Sequence, residues 1–246
     1  MKLYDDIINE INALCDSAER RDLEVNKADT WEDGGNSNMV LRNEAAFELG
    51  GAEGKLPAVG GTAITDNEEL VGEDSIVLIG PDISEISGET PYARIAIVRV
   101  KPETMGEGNA LYSAIRNIEY LRYHMNPKGF MMRVSTIRNR ESVRIAKEAI
   151  AKGISFQKVG NFMLNTFHLN PKVEAVKLIY ITDPNFDYAA LKTQLAESEK
   201  VTKAIDHILK NVMTDCDTCS LQKVCEEVEG MKELHFGLSK TPFMEE

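Results

Sequence analysis

Between Asp74 and Met213, short apolar runs of strand length alternate with segments of helical period, and this alternation constrains the fold more than any other feature of the chain. "DSIVLIGPDI" carries an apolar run over Ile76–Ile79 that Gly80 and Pro81 end. "YARIAIVRV" reads as a strand from Arg94 to Val100, stopped by Lys101 and Pro102. "GFMMRVS" reads as another, and "PKVEAVKLIYITDP" as a further one across Ala175–Ile181, closed by Pro184. Between these runs, "ALYSAIRNIEYLRYHM" sets Leu111, Ile115, Ile118, Leu121 and Met125 on one helical face, which Pro127 and Gly129 terminate. Val143, Ile145, Ala146, Ala149 and Ile150 share one broad face and predict a helix ending at Gly153. "SFQKVGNFMLNTFHL" is helical or mixed, with an interruption at Gly160, and 188–213 forms one long helix or two joined near Ser198. Interspersed strands and helices predict an α+β or mixed α/β fold, a mixed sheet covered by helices, with a short C-terminal cysteine-containing segment.

The first 73 residues are less regular. Tyr4, Ile7, Ile8, Ile11, Leu14, Cys15 and Ala18 recur at helical spacing and predict one amphipathic helix over 3–18. Residues 26–38 are polar and glycine-bearing and read as loop. "NMVLRNEAAFELG" reads as a strand followed by a short helix. "GGAEGKLPAVGGTAIT" matches neither a Walker loop nor a dinucleotide fingerprint in its glycine spacing, and reads as irregular backbone. The expected division is 1–73, an N-terminal helix and irregular region; 74–213, a mixed α/β domain; and 214–246, a cysteine-cluster tail. A chain of 246 residues can bury one large core or two small ones.

Charge excludes some functions. The formal balance is −12, which repels phosphate backbones and argues against nucleic acid or an anionic membrane as partner. There is no 18-residue apolar run, so no span is expected. The start "MKLYDDIINE" lacks the apolar stretch of a signal peptide, and the expected location is cytoplasmic.

Three of the four cysteines, Cys216, Cys219 and Cys225, stand in "CDTCSLQKVC". A C-x-x-C turn lets two thiolates converge on one centre, and the third joins if the backbone folds back. Soft donors of this kind suit an iron–sulfur cluster or Zn²⁺ better than a hard cation. A redox dithiol fits less well, because that motif opens a helix after a strand and here it follows a helix. Three ligands leave one vacancy. His235 would complete a Cys3His zinc site or bind iron; Cys15, Asp215 and Glu226 are the alternatives, and an open iron is another. Cys15 lies on the apolar face of the first helix, which favours a small buried hydrophobe over a ligand.

The order of several stretches is suggestive: "VLIGPDISEI", "LRYHMNPKGFMMRVS", "RESVRIAKEAIAKGISFQKVGNFMLNTFH", "KVEAVKLIYITDP" and "CDTCSLQKVC". Together they resemble the beta (acetyl-CoA synthase) subunit of the carbon monoxide dehydrogenase/acetyl-CoA synthase complex, over roughly residues 75 to 235. The resemblance implies a shortened relative, with 74–213 similar to the middle domain of acetyl-CoA synthase. It implies anaerobic C1 metabolism and a [4Fe–4S] cluster, with a corrinoid protein or a carbon monoxide dehydrogenase-like protein as partner. By position, Cys216 resembles the first cubane ligand, Cys219 the cysteine that bridges to nickel, and Cys225 the third cubane ligand. The fourth cubane cysteine falls where this chain has His235. The family's Cys-Gly-Cys, which holds the distal nickel, has no counterpart among these residues, so full synthase activity is not expected of them. The alternative is a non-catalytic scaffold whose zinc knuckle ties down the C-terminus.

Arg133, Arg138, Arg140 and Arg144 form the densest basic stretch and are candidates for an anionic ligand or an acidic partner. Arg116 and Arg122 would join them if the two elements pack together. The competing reading is a solvated face with ion pairs to Glu141 and Glu148. His124 and His168 each follow an apolar segment and read as satisfied core histidines rather than catalytic bases.

Overall fold

The computed structural model describes residues 2–51, 55–105, 109–135 and 139–209. Among the described residues, eight strands form two sheets, and the helices pack around them. The strands are β1 (Arg20–Leu23), β2 (Ala45–Leu49), β3 (Ala58–Thr65), β4 (Ser75–Ile79), β5 (Tyr92–Val100), β6 (Phe130–Ser135), β7 (Arg140–Ala146) and β8 (Val173–Ile181). The α-helices are α1 (Lys2–Asp16), α2 (Asn109–Leu121), α3 (Lys147–Ala151), α4 (Phe156–Phe167) and α5 (Tyr188–Leu209). The larger sheet runs β1-β4-β8-β5-β3 and is mixed: β3 is parallel to β5 and β4 to β8, while β5 and β8 are antiparallel. The smaller sheet, β2-β7-β6, is antiparallel throughout. The first 73 residues thus supply strands to both sheets: β1 and β3 to the larger, β2 to the smaller.

β5 lies inside the larger sheet and is buried on both faces, with Arg94 the one wholly buried charge among its apolar residues. The two coverings are different. Lys177 of β8 hydrogen-bonds Asn12 of α1, and the Tyr4 hydroxyl meets Thr202 of α5, so α1 and α5 share one face. On the opposite face, the Tyr180 hydroxyl donates to the Met163 sulfur of α4, and Glu141 of β7 approaches β5. The mixed sheet covered by helices is what the alternation predicted; the second, smaller sheet as part of that cover was not foreseen.

Three local expectations are corrected. Ala58–Thr65 is a regular, wholly buried strand rather than irregular backbone. Its glycines are there for space. A Cβ on Gly60 would lie 2.4 Å from the Glu141 Cβ, and one on Gly61 would lie 2.6 Å from Leu195 Cδ2. The pair therefore lets β7 close on one face of β3 and α5 on the other. "NMVLRNEAAFELG" ends in the strand β2, not a helix, because antiparallel pairing to β7 outweighs the helical propensity of its alanines. Val143 and Ile145 belong to β7, and only Lys147–Ala151 is helical. Alternate positions of β7 had been read as part of a helical face. The long segment from Tyr188 is one helix as far as Leu209.

Candidate functional site

The residues proposed to hold a metal, Cys216, Cys219, Cys225 and His235, lie outside the described residues, as does Arg138. Cys15 is described. It is 2% exposed among core side chains, and burial pushes its thiol up to about 11, so it is a neutral group in the folded protein. Among the described residues, no three His, Cys, Asp or Glu side chains converge as a metal site.

The arginine stretch does not form one open patch. Arg133 of β6 and Arg144 of β7 both pair with the buried Glu48 of β2; Arg144 Nε lies 2.9 Å from its carboxylate. Arg144 also donates to the Val40 carbonyl at 2.8 Å, and Arg140 donates to the Gly50 carbonyl at 3.2 Å. Two guanidinium groups on one carboxylate cross-link all three strands of the smaller sheet. The Glu141 and Glu148 partners are also different from those expected. Glu148 pairs with Lys152, and Glu141 pairs with Arg94. The histidines divide. His168 Nε2 lies 2.8 Å from Asp74, which also accepts the Val176 amide and pairs with Lys27, so it is a satisfied histidine at the end of α4. His124 is exposed, with its ring edge-on to Tyr120 at 4.5 Å.

The most polar point of the interior is the junction between the sheets. Arg94 Nε and Nη2 donate to the two Glu141 oxygens at 2.6 and 2.8 Å, and both side chains are wholly buried. Register places Gly60 and Tyr180 on either side of Arg94 in the sheet. Burial alone would lower the Arg94 pKa; the Glu141 charge and hydrogen bonds outweigh it and raise it. Desolvation, reinforced by Glu141, holds Tyr92 far above the ordinary phenol range. Arg94 Nη1 and the Tyr92 hydroxyl have no hydrogen-bond partner among the described residues. Sequence reasoning passed over this pair, although a cation inside the apolar run "YARIAIVRV" was its signal.

Among the described residues, two hollows bear on the site. One of about 520 Å³ lies between the Trp31 loop and the smaller sheet. Its lysines are engaged: Lys128 with Glu32, Lys152 with Glu148, and Lys147 with the Asn43 carbonyl. The other, about 280 Å³, lies at the free edge of β3, between the C-terminal part of α2, α5 and Asn139. Asn139, with φ 46°, is the one non-glycine residue at positive φ among the described residues, and its carbonyl accepts the Gly60 amide at 3.0 Å. Arg116 and Arg122 face this second cleft, away from the Glu48 cross-link.

Compared with family models, residues 34–186 match the CO dehydrogenase/acetyl-CoA synthase complex beta subunit, more than half of the 246. The chain belongs to that beta-subunit family. A search of curated proteins found no match. The matched span takes in β2 to β8 and leaves out α1, β1 and α5, so the beta-subunit match includes the Arg94–Glu141 junction and the Glu48 cross-link. No described helix of this beta-subunit relative is long and apolar enough to cross a membrane.

Proposed function

We propose that this chain is a metal-binding member of the beta-subunit family, carrying a [4Fe–4S] cluster on Cys216, Cys219 and Cys225 with His235 as fourth ligand. The observation that carries the reading is positional. The family match ends at residue 186, one long helix follows, and the three thiolates come next in the chain. The donor set fits the group, because clustered thiolates are the ligands that iron–sulfur clusters take. Such a cluster supplies one-electron transfer when bound. The chain's own part is to hold the cluster and to offer its packed domain to a partner, a carbon monoxide dehydrogenase-like or corrinoid protein of C1 metabolism. These 246 residues contain no Cys-Gly-Cys for a square-planar nickel site, so the full synthase reaction is not assigned to them.

The test is metal content after anaerobic purification. The reading expects brown protein, absorption at about 400 nm, and about four irons and four sulfides per chain. Cys219→Ser should lose the colour, and His235→Ala should lower the iron content. Colourless protein with one zinc per chain would sink the cluster and leave the zinc knuckle.

A further inference from the structure

The cleft at the edge of β3 contains a buried cation that makes no direct ion pair. Arg122 is 7% exposed, and among the described residues no carboxylate touches it, although Glu119 and Glu199 line the same cleft and feel its charge through space. Its Nη2 donates to the Tyr123 hydroxyl at 3.0 Å, and its Nε has no partner. Thr62, 6% exposed, lines the same cleft, and its hydroxyl oxygen is also unpartnered. Two acids are nearby but are engaged elsewhere. Glu119 accepts from Thr202 at 3.0 Å and from Arg116 at 3.1 Å, and Glu199 lies 3.7 Å from Lys203. Burial raises the pKa of both carboxyls, and the Arg122 charge opposes that shift. A buried guanidinium whose Nε has no hydrogen-bond partner is costly, and native proteins rarely leave one unsatisfied.

We infer that this cleft binds a small phosphate monoester, with its phosphoryl oxygens on Arg122 and the Thr62 hydroxyl. Three cations, Arg116, Arg122 and Lys203, face two carboxylates there, and an anionic phosphoryl group with three acceptor oxygens meets that one-charge excess and the unsatisfied donors. The planar Arg122 fork suits such a group better than a lysine would. Size limits the remainder. The cleft, about 280 Å³, is at the small end of ligand pockets, which suits a small monoester. The exposed rings of Tyr120 and Tyr123 also line the cleft and offer apolar contact to the carbon end of the ligand. The site does not depend on the cysteine segment, so it stands or falls apart from the metal reading.

The test is calorimetric titration of the full, anaerobically purified chain with glycerol 3-phosphate, and in parallel with succinate, at constant ionic strength. Saturable binding of glycerol 3-phosphate is expected, weakened about tenfold or more in Arg122→Lys and in Thr62→Val, the scale of a lost charge-assisted hydrogen bond. Lys203→Gln, an exposed change that leaves the core untouched, should weaken binding several-fold. Lys152→Gln, in the other hollow, should leave it unchanged. Absence of saturable binding to the wild-type chain would overturn the inference. So would equal affinity in Lys203→Gln and Arg122→Lys, or succinate binding as tightly as glycerol 3-phosphate.

Discussion

Glu141→Gln is the sharpest probe of how the two sheets are joined. Both partners of the Arg94–Glu141 pair are wholly buried, and its two hydrogen bonds are 2.6 and 2.8 Å long. The substitution keeps the shape and removes the charge, so the Arg94 guanidinium stays desolvated without a counter-ion. Arg94 Nη1 already has no partner among the described residues, and the Tyr92 hydroxyl beside it has none either. Breaking one partner of such a pair costs about 3–5 kcal/mol. At about 2–4 °C per kcal/mol for a chain of this size, the melting point should fall by about 6–20 °C. Urea unfolding followed by far-UV circular dichroism measures the loss directly. The companion is the double variant Arg94→Met/Glu141→Leu, which fills the junction with apolar groups among Tyr92, Phe156 and Tyr180. Phe156 stacks on Tyr180 at 4.7 Å, so the surroundings are already apolar. Replacing a buried pair in this way is often neutral or stabilising, so the double variant should regain most of the loss. A single variant within about 1 kcal/mol of wild type would refute the argument. So would a double variant no more stable than Glu141→Gln.

Three further outcomes follow from named contacts. Gly60→Ala should destabilise by about 1–3 kcal/mol, because its Cβ would lie 2.4 Å from the Glu141 Cβ; unchanged urea stability would show that β7 yields freely. Burial raises the Glu119 pKa, opposed by the hydrogen bond from Thr202, so the folded state keeps that proton to a higher pH than the unfolded chain. Stability should therefore fall as pH rises from about 4.3, the unfolded value, through the folded one, and Glu119→Gln should flatten that part of the curve; an unaltered slope would assign it to another group. Cys15, with burial raising its pKa to about 11, should resist disulfide reagents at pH 8 in a chain whose other cysteines are serine, and react on unfolding; rapid labelling of the native protein would contradict its burial.

Much of the fold was legible. β4, β5, β6 and β8 and helices α1, α2, α4 and α5 follow from apolar periodicity, since each has a covered face that its own sequence writes down. β3 did not, because its two glycines speak for irregular backbone until Glu141 and Leu195 are seen against them. β7 did not, because Val143, Ile145, Ala149 and Ile150 fit a helical face as well as they fit a strand running into a short helix. Of the candidate site residues, the arginines were visible as a charge cluster. Their partners were not, since Glu48 is distant in sequence from Arg133 and Arg144 and is brought to them only by strand pairing.

By itself, then, the sequence determines the mixed class, the places of most elements, and the close spacing of Cys216, Cys219 and Cys225. It also carried the family resemblance, which the match over 34–186 bears out. Tertiary structure decided which charges meet. It set Arg94 on Glu141, two arginines on Glu48, and Arg122 in one cleft with Thr62 without a direct ion pair among the described residues. The reason is physical: periodicity reports burial, a property of one segment, whereas ion pairing depends on distances between segments that only the packed sheets establish.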